Sequence, residues 1–374
     1  MKIIVLKNNI LEAFSSVERA ARDGVNLPIL KSVHIKTENN KIITTGTNLE
    51  LAISHSFSGK IIEQGEIVVP FSPLYAVIKN LNSERINLEL KNKKLFVTTE
   101  NYEASFQVQD PSEFPIIPSI KEGDEYIETT AKQLAEILSN VAPATQHSEI
   151  RPEISGVFVY SADNGDVVFV ATDGFRLSEQ KTTQAQITSS FKNESLNIIV
   201  PLRTADEMLK ILSSRDESEQ VRIFTDQTQI LFKTNSVQAV SRLVDGTFPE
   251  YQPIIPKQTK IEIAVPRDEF LQATKLTSSF SGKGNDVKIS TGEGKKYIEV
   301  SSSDNTIGEN TYKIPAKLKG EEFTILLNWR FLSDGLKILK GDNVILGINS
   351  SDKPILLKDP KNPFLSYTIM PIKG

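Results

Sequence analysis

The sequence contains no cysteine and only three histidines. The missing thiols exclude disulfide bonds and thiol chemistry, and they are compatible with a reducing cytoplasm, where we expect the protein to reside. His34, His55 and His147 are scattered along the chain, so their spacing does not match that of metal ligands. We therefore expect no metal and no cofactor, and each histidine is expected to be an isolated core or surface residue.

Long uncharged apolar runs and an excess of basic residues are also missing. The opening Lys2–Leu6 segment is far too short for the hydrophobic part of a signal peptide, and no run is long enough to cross a membrane. The formal net charge is −4, whereas a protein that holds nucleic acid by phosphate neutralisation alone is normally basic. Composition therefore argues mildly against tight DNA affinity, but not against DNA that is held in another way.

Catalytic motifs are missing as well. The glycine-containing stretch 281–285 lacks the spacing of a phosphate-binding loop, and no serine lies in a nucleophile elbow with a histidine beside it. Acidic pairs such as Asp163 with Asp166 occur in turn-like contexts, where solvated loop acids are the ordinary explanation. Because no general acid–base pair is indicated, we expect a non-catalytic binding or structural protein.

A threefold repeat dominates what the sequence does contain. Two helix-forming segments recur three times, and their equivalent apolar positions are Ile10, Leu134 and Phe270 in the first and Ile78, Leu209 and Leu336 in the second. Both recur after about 130 residues, too long for solenoid repeats of roughly 20–50 residues. We predict an α+β protein of three homologous domains, 1–121, 122–257 and 258–374, each with two helices on antiparallel sheet. Proline-rich linkers are expected at 118–123 and 256–260.

Helix starts carry cap signals of the expected types. Asn9 is a cap candidate in the first repeat, and capping boxes are predicted to begin at Thr130 and Thr204. Pro266 is expected at the start of the first helix of the third repeat.

The stretch 170–177 predicts a tight β-hairpin. Asp173 and Gly174 are a favoured type I′ turn pair, in which Gly174 supplies a positive φ at no steric cost. A lone Asp-Gly turn is ordinary, but counterparts occur at 46–49 and 303–305, at equivalent places in the repeat. The hairpin is therefore expected to be part of the repeated framework.

Six segments in the same order resemble the bacterial β sliding clamp family, the processivity subunit of the replicative DNA polymerase. They are Leu-Pro-Ile-Leu at 27–30, Thr-Gly-Thr-Asn-Leu-Glu at 45–50, Val-Ala-Thr-Asp-Gly-Phe-Arg-Leu at 170–177, Ile-Ile-Val-Pro at 198–201, Leu-Val-Asp-Gly-Thr-Phe-Pro-Glu-Tyr at 243–251 and Met-Pro-Ile at 370–372. The resemblance covers the whole chain. It implies three clamp domains and a head-to-tail homodimer, which forms a six-domain ring with twelve helices around duplex DNA. A ring that stays on DNA by topology would reconcile the acidic net charge with a DNA partner.

The resemblance also implies a hydrophobic groove between the second and third domains. Through short peptides this groove would bind the replicative polymerase subunit, the clamp loader, and other polymerases and repair proteins. Its matching positions are Ile154, Thr172, Gly174, Phe175, Arg176, Leu177, Pro249, Ile254, Ile369, Met370, Pro371 and Ile372. Phe175 stands where a histidine is common, and Arg176 is expected to be the polar anchor. Apolar side chains near the C-terminus are expected to be exposed until a peptide covers them.

DNA and subunit contacts are predicted at fewer positions. The DNA-facing candidates are basic residues on the repeated helices or near family contact positions, namely Arg22, Lys79, Lys132, Arg203, Lys210, Arg330 and Lys337. Candidates for the dimer interface are Phe106, Lys275 and Leu276. For each helix taken alone, a solvated charged face is the ordinary interpretation.

Two alternatives remain open on the residues alone. One is a hydrolase or transferase with an unrecognised site, which a cluster of perturbed acids in a pocket would support. The other is a monomeric α+β scaffold that binds a peptide or ligand and has no role with DNA. Sedimentation of the pure protein separates the ring from both alternatives, because only the ring requires a dimer.

Overall fold

The computed structural model describes residues 1–21, 27–191 and 196–373. Within them the chain forms six α-helices: α1 Lys7–Val17, α2 Phe71–Asn80, α3 Ala131–Val141, α4 Leu202–Ser213, α5 Arg267–Ser278 and α6 Trp329–Ile338. The strands up to α3 are β1 Lys2–Leu6, β2 Ser32–Glu38, β3 Lys41–Thr47, β4 Leu51–Phe57, β5 Gly59–Glu63, β6 Glu66–Pro70, β7 Arg85–Lys91, β8 Lys94–Thr98, β9 Glu103–Gln107 and β10 Ile127–Thr130.

The remaining strands complete the list in chain order. Between α3 and α5 they are β11 Gly156–Ser161, β12 Val167–Thr172, β13 Arg176–Lys181, β14 Thr188–Ser189, β15 Asn197–Pro201, β16 Gln220–Thr225, β17 Gln229–Lys233, β18 Val237–Arg242 and β19 Ile261–Pro266. After α5 they are β20 Asp286–Thr291, β21 Tyr297–Asp304, β22 Gly308–Pro315, β23 Lys317–Lys319, β24 Thr324–Asn328, β25 Asn343–Ile348, β26 Ile355–Asp359 and β27 Asn362–Ile369.

The chain folds into two compact units. The first comprises Met1–Lys132 and Lys210–Leu243, and the second comprises Gln133–Leu209 and Val244–Gly374. In the first unit, one antiparallel sheet has the order β5-β1-β7-β8-β9, and another runs β10-β16-β17-β18-β4-β3-β2-β6. In the second unit, a nine-stranded sheet runs β15-β11-β12-β13-β27-β26-β25-β19-β23, and a four-stranded sheet runs β22-β21-β20-β24.

Sheets that cross the predicted repeat boundaries explain why the units number two. In the first unit, β18 of the middle repeat pairs with β4 of the first, with Ala239 opposite Ile53. In the second unit, β13 of the middle repeat pairs with β27 of the third, with Leu177 opposite Thr368. The middle repeat is therefore divided between two continuous sheets. The three-domain boundaries stay a prediction, while the predicted order of helices and antiparallel strands is confirmed.

Helix starts differ from the cap predictions at two places. The first helix begins at Lys7, two residues before Asn9, and its N-terminal neighbour Leu6 offers no capping side chain. The fourth begins at Leu202, so Thr204 lies inside the first turn and is not the cap. At the fifth, Pro266 precedes the helix as predicted. In each of these cases a strand runs directly into the helix, so chain connectivity sets the start.

The helices bury the apolar positions that the repeat aligned. Five of the six aligned positions are fully buried, which confirms them as core residues: Ile10, Ile78, Leu134, Phe270 and Leu336. Burying a side chain of this size stabilises the fold by about 1.5–3 kcal/mol. The remaining aligned position, Leu209, is half-buried.

A buried charged network fastens α1 to the segment that follows α4 within the first unit. Arg215 reaches Glu12 at 2.7 Å and the Ser236 hydroxyl at 3.0 Å, and its side chain is 6% exposed. Its second terminal nitrogen lies 3.2 Å from Nδ1 of His55, and the Ser16 hydroxyl lies 2.9 Å from the same atom. Burial, and then the charge of Arg215, lower the pKa of His55 to about 3. His55 is therefore a neutral core histidine, as one of the two sequence interpretations had it.

Candidate functional site

The hairpin at 172–176 has a wider turn than the sequence predicted. Thr172 and Leu177 are the last paired residues, and within the turn only Gly174 has a positive φ, at 89°. A type I′ turn needs two such residues, so that prediction is wrong. Instead, the Asp173 carboxylate accepts hydrogen bonds from the backbone N–H groups of Phe175 at 2.9 Å and Arg176 at 3.0 Å. This side-chain cap holds a longer loop.

The same turn occurs in the first repeat and, in part, in the third. Asn48 Oδ1 accepts from the N–H groups of Glu50 at 3.1 Å and Leu51 at 2.8 Å. Asp304 Oδ1 accepts from the N–H groups two and three residues later, at 2.8 and 3.2 Å. The predicted counterparts of the hairpin are therefore confirmed. The side chain that caps the turn is an Asp or Asn each time, and the residue after it has a positive φ in two of the turns, at Gly174 and Leu49.

The C-terminal segment closes onto this hairpin. Arg176 pairs with Ile369, and beyond the strand the N–H of Met370 donates to the carbonyl of Phe175 at 2.7 Å. The N–H of Ile372 donates to the carbonyl of Leu326, at 2.8 Å. Residues that the sequence placed in one groove from opposite ends of the second and third repeats are thus brought together.

Burial divides the predicted groove residues into a buried set, which we call the floor, and a more exposed set, which we call the rim. Ile154 and Leu177 belong to a buried cluster with Phe248 and Tyr251. Phe175 is 61% exposed and Ile254 is 41% exposed. The expectation of exposed apolar side chains at the C-terminus is wrong for Ile369, which is fully buried, and for Pro371; Met370 and Ile372 are half-buried. Pairing with the hairpin strand covers Ile369, so this side chain is buried without a bound ligand.

Arg176 is held by two carboxylates. Its Nε donates to Asp173 at 2.9 Å and its Nη1 donates to Asp334 at 2.7 Å, with the side chain 9% exposed. Its guanidinium also lies 4.6 Å from the ring centre of Phe331, which stacks on Phe175 at 6.4 Å. The arginine therefore links the loop to α6 through its two carboxylate partners and packs against Phe331 of the aromatic pair. Its role as the polar anchor for a peptide stays a prediction.

Phe331 and Asp334 were not predicted as site residues. Both lie on α6, more than 150 residues from the hairpin, and spacing along the chain gives no signal for such a contact. The hydroxyl of Tyr367 donates to the carbonyl of Phe331 at 3.1 Å, and burial raises the pKa of Tyr367. The hydroxyl of a neutral Tyr367 thus holds the first turn of α6, which carries Phe331, next to the loop at 172–176.

A second buried hydroxyl chain supports the floor. The Tyr251 hydroxyl donates to Glu179 at 2.7 Å and lies 2.9 Å from the hydroxyl of Tyr160. Burial, and then the hydrogen bond with Tyr160, raise the pKa of Tyr251. The hydrogen bond from Tyr251 satisfies the buried carboxylate of Glu179.

An arginine that the sequence did not assign to the groove lies beside the loop. A terminal nitrogen of Arg151 is 3.7 Å from where a Cβ on Gly174 would lie, and its side chain is 51% exposed. Its Nε donates to Glu153 at 3.1 Å. The exposed cation at this rim is therefore Arg151, whereas Arg176 is buried.

The DNA-facing candidates lie on helices as expected. Those that the structure describes are all exposed: Lys79, Lys132, Arg203, Lys210, Arg330 and Lys337. Arg22 lies outside the described residues. Lys132 pairs with Glu217 at 2.6 Å and Lys337 with Asp334 at 3.1 Å. Whether these residues face DNA stays a prediction.

The dimer candidates lie beside open sheet edges. Phe106 is on β9, the last strand of the five-stranded sheet, and is half-buried. Lys275 and Leu276 are on α5, which packs against β22, the last strand of the four-stranded sheet. Leu276 is 48% exposed. Each edge leaves backbone groups available to a further strand.

The part of the chain that the structure describes contains neither a candidate metal cluster nor a candidate membrane-spanning helix. Across 1–21, 27–191 and 196–373, no group of three or more histidine, cysteine, aspartate or glutamate side chains is arranged to hold a metal ion. No helix in these ranges has both the length and the apolar character needed to span a bilayer.

Comparison with known proteins decides the family. Models of the DNA polymerase III beta subunit match the chain in order, with the N-terminal domain over residues 1–118, the central domain over 128–250 and the C-terminal domain over 252–373. This chain belongs to the DNA polymerase III beta subunit family.

Relatives of this beta subunit match along their full length. The beta sliding clamp of Bacillus subtilis strain 168 is 29% identical over 387 residues, with 100% of both chains covered. A crystal structure of the DNA polymerase sliding clamp from Bacillus subtilis is 27% identical, with a TM-score of 0.92 over 100% of this chain and 99% of that one. A sliding clamp from Bartonella birtlesii, crystallised with griselimycin, is 26% identical, with a TM-score of 0.93 and 100% of both chains covered. The predicted family and its α+β clamp fold are confirmed.

Proposed function

We propose that this chain is a sliding clamp that encircles duplex DNA and tethers the replicative DNA polymerase. The observation that carries the proposal is the match of all three beta subunit domains, in order, over almost the whole chain. As a processivity subunit the protein is not itself an enzyme. It acts in the cytoplasm, as a head-to-tail homodimer whose ring has six domains, 1–121, 122–257 and 258–374 from each subunit.

Subunit pairing rests on the two open edges. Strand β9 with Phe106 and the α5–β22 surface with Leu276 offer backbone donors and acceptors together with exposed apolar area. In a head-to-tail dimer, each edge meets the other type on the partner, so one pairing mode closes the ring twice.

DNA is held by enclosure. The chain has a net charge of −4, which argues against tight binding by phosphate neutralisation alone. Exposed helix cations such as Arg203 supply only a modest attraction, which permits sliding.

Retention on DNA tests the ring directly. After loading by a clamp loader, the protein should stay on circular duplex and be lost when the circle is cut once. Loss at equal rates from closed and cut circles would show that contacts, and not enclosure, hold it. A monomer in sedimentation at micromolar concentration would contradict the dimer.

The loop at 172–176, with the C-terminal segment, serves as the docking groove for polymerase, clamp loader and repair proteins. Its rim of Phe175, Ile254 and half-buried Met370 suits a short peptide with two hydrophobic anchors, bound at micromolar strength, roughly −8 kcal/mol. Binding of griselimycin by a clamp from Bartonella birtlesii supports a ligand site on this fold.

Deletion of residues 370–374 tests the groove. The deletion removes the hydrogen bonds from Met370 to Phe175 and from Ile372 to Leu326. Calorimetry with a polymerase tail peptide should show no binding, while sedimentation shows an intact dimer. Unchanged peptide affinity would overturn the assignment.

The alternative is a monomeric scaffold that binds a peptide or ligand. The family match does not favour it, and it predicts a monomer with no retention on circular DNA.

A further inference from the structure

Two exposed lysines on or beside the helices are paired with a carboxylate from another segment of the chain. Lys132 Nζ lies 2.6 Å from Glu217 Oε2, with side chains 59% and 74% exposed. Lys340 Nζ lies 2.6 Å from Glu136 Oε1, with side chains 64% and 43% exposed. Lys340 follows α6 and was not among the sequence candidates for DNA contact. Each pair is in water, where a phosphate oxygen could replace the carboxylate.

Backbone hydrogen bonds position the two residues of the first pair, Lys132 and Glu217. Lys132 lies in the first turn of α3, where a cation is unfavourable because the helix N-terminus is itself positive. The backbone N–H of Lys132 donates to the carbonyl of Glu217 at 3.3 Å, and that of Ala131 donates to the carbonyl of Glu219 at 2.8 Å. The loop therefore places the Glu217 carboxylate beside Lys132.

The second pair is anchored in a similar way. Lys340 is followed by Gly341, whose N–H donates to the buried carboxylate of Asp359 at 2.8 Å. Glu136 projects from the middle of α3. The fixed backbone sets the distance between the two residues, while forming the pair still orders two long side chains.

We propose that Glu217 and Glu136 mask Lys132 and Lys340 from DNA phosphates and thereby keep the affinity for duplex low. The proposal rests on the function proposed above and extends it from enclosure to sliding. A lysine that must leave a carboxylate before it meets a phosphate gains little from the exchange. The ring then passes along the duplex without deep electrostatic minima.

The size of the effect follows from the strength of exposed ion pairs. Such pairs are typically worth a few tenths to 1 kcal/mol, so removing one mask should raise duplex affinity about 2- to 5-fold. The gains in affinity at the two sites should multiply in the double variant, because the two ion pairs share no residue. Each lysine that gains a phosphate should steepen the slope of log affinity against log salt by up to about 0.9.

The test compares Glu217→Gln, Glu136→Gln and the double variant with wild type. Binding of the dimer to a short fluorescent DNA duplex is measured by anisotropy over a series of salt concentrations. Glu38→Gln is the matched control, since Glu38 pairs with Lys36 at 2.7 Å on the strand β2 and not on a helix. The masking model predicts tighter binding and a steeper salt slope for the first three and no change for the control.

Lysine variants complete the test. Adding Lys132→Gln to Glu217→Gln should return both affinity and slope to the wild-type range. The proposal is overturned if wild type stays on circular DNA yet the glutamine variants match it in affinity and slope. It is also overturned if Glu38→Gln produces the same gain, because general charge would then be the cause. Loss of wild type from circular DNA would instead count against the proposed function.

Discussion

Titration of His55 should make the first unit lose stability in weak acid. His55 is 2% exposed, and its Nδ1 faces the Arg215 guanidinium at 3.2 Å and the Ser16 hydroxyl at 2.9 Å. A protonated ring there would place two cations in contact in a buried site, with Glu12 the nearby carboxylate. This is why burial and Arg215 lower the pKa from 6.5 to about 3.

The sign and the size of this loss of stability follow from the linkage between proton binding and unfolding. Because the folded pKa is depressed, the unfolded chain binds more protons between about pH 3 and pH 6.5. The contribution to stability is complete above pH 6.5 and is lost as the pH falls toward 3. With an unfolded pKa of 6.5, the loss from pH 8 to pH 5 is about 2 kcal/mol.

His55→Asn is the perturbation that isolates this group. Asparagine places a neutral acceptor near the position of Nδ1 and cannot titrate. Denaturant unfolding of both proteins at pH 8, 6.5 and 5 gives the difference in free energy of unfolding at each pH. Relative to wild type, the variant should gain about 2 kcal/mol between pH 8 and pH 5. Parallel curves for the two proteins would refute the reasoning, because carboxylates elsewhere titrate equally in both.

Three further predictions concern the groove and the dimer. Gly174→Ala should cost about 1–2 kcal/mol because of its φ of 89°, and should weaken tail-peptide binding in calorimetry, whereas Gly123→Ala, with open space around it, should be neutral. Tyr367→Phe should lower the free energy of unfolding by about 1 kcal/mol in denaturant titration, since it removes the hydrogen bond to the carbonyl of Phe331; an unchanged value would mean that this bond contributes nothing. Leu276→Glu should yield monomers in sedimentation, and Ile62→Glu, equally exposed on the other edge of the five-stranded sheet, should not; a dimer in both would place the interface elsewhere.

Local chemistry made much of the fold predictable. The Asp or Asn that caps each repeated turn acts within three residues, so Asp173, Asn48 and Asp304 are visible as turn signals in the sequence. The apolar positions of the helices are likewise set by local periodicity, and those at Ile10 and Phe270 are fully buried.

Long-range contacts were beyond reach of the sequence patterns. The ion pair between Arg176 and Asp334 joins residues 158 positions apart, and no periodicity links them. The buried state of Ile369 depends on pairing with a strand of another repeat, whereas the groove implied by the family resemblance suggested an exposed end. The turn type was also mistaken, because the side chain of Asp173 competes with the two-residue geometry that Asp-Gly favours.

The position of β27 has a consequence for biosynthesis. This strand lies inside the nine-stranded sheet between β13 and β26, although β13 is synthesised long before it. The first unit can close once Leu243 has left the ribosome, but the second must wait with the edge of β13 unpaired until β27 has emerged. An unpaired strand edge is a template for association with other chains. The nascent chain is therefore most prone to aggregate between the synthesis of β13 and that of β27, and slower synthesis of the residues between them should lengthen that interval.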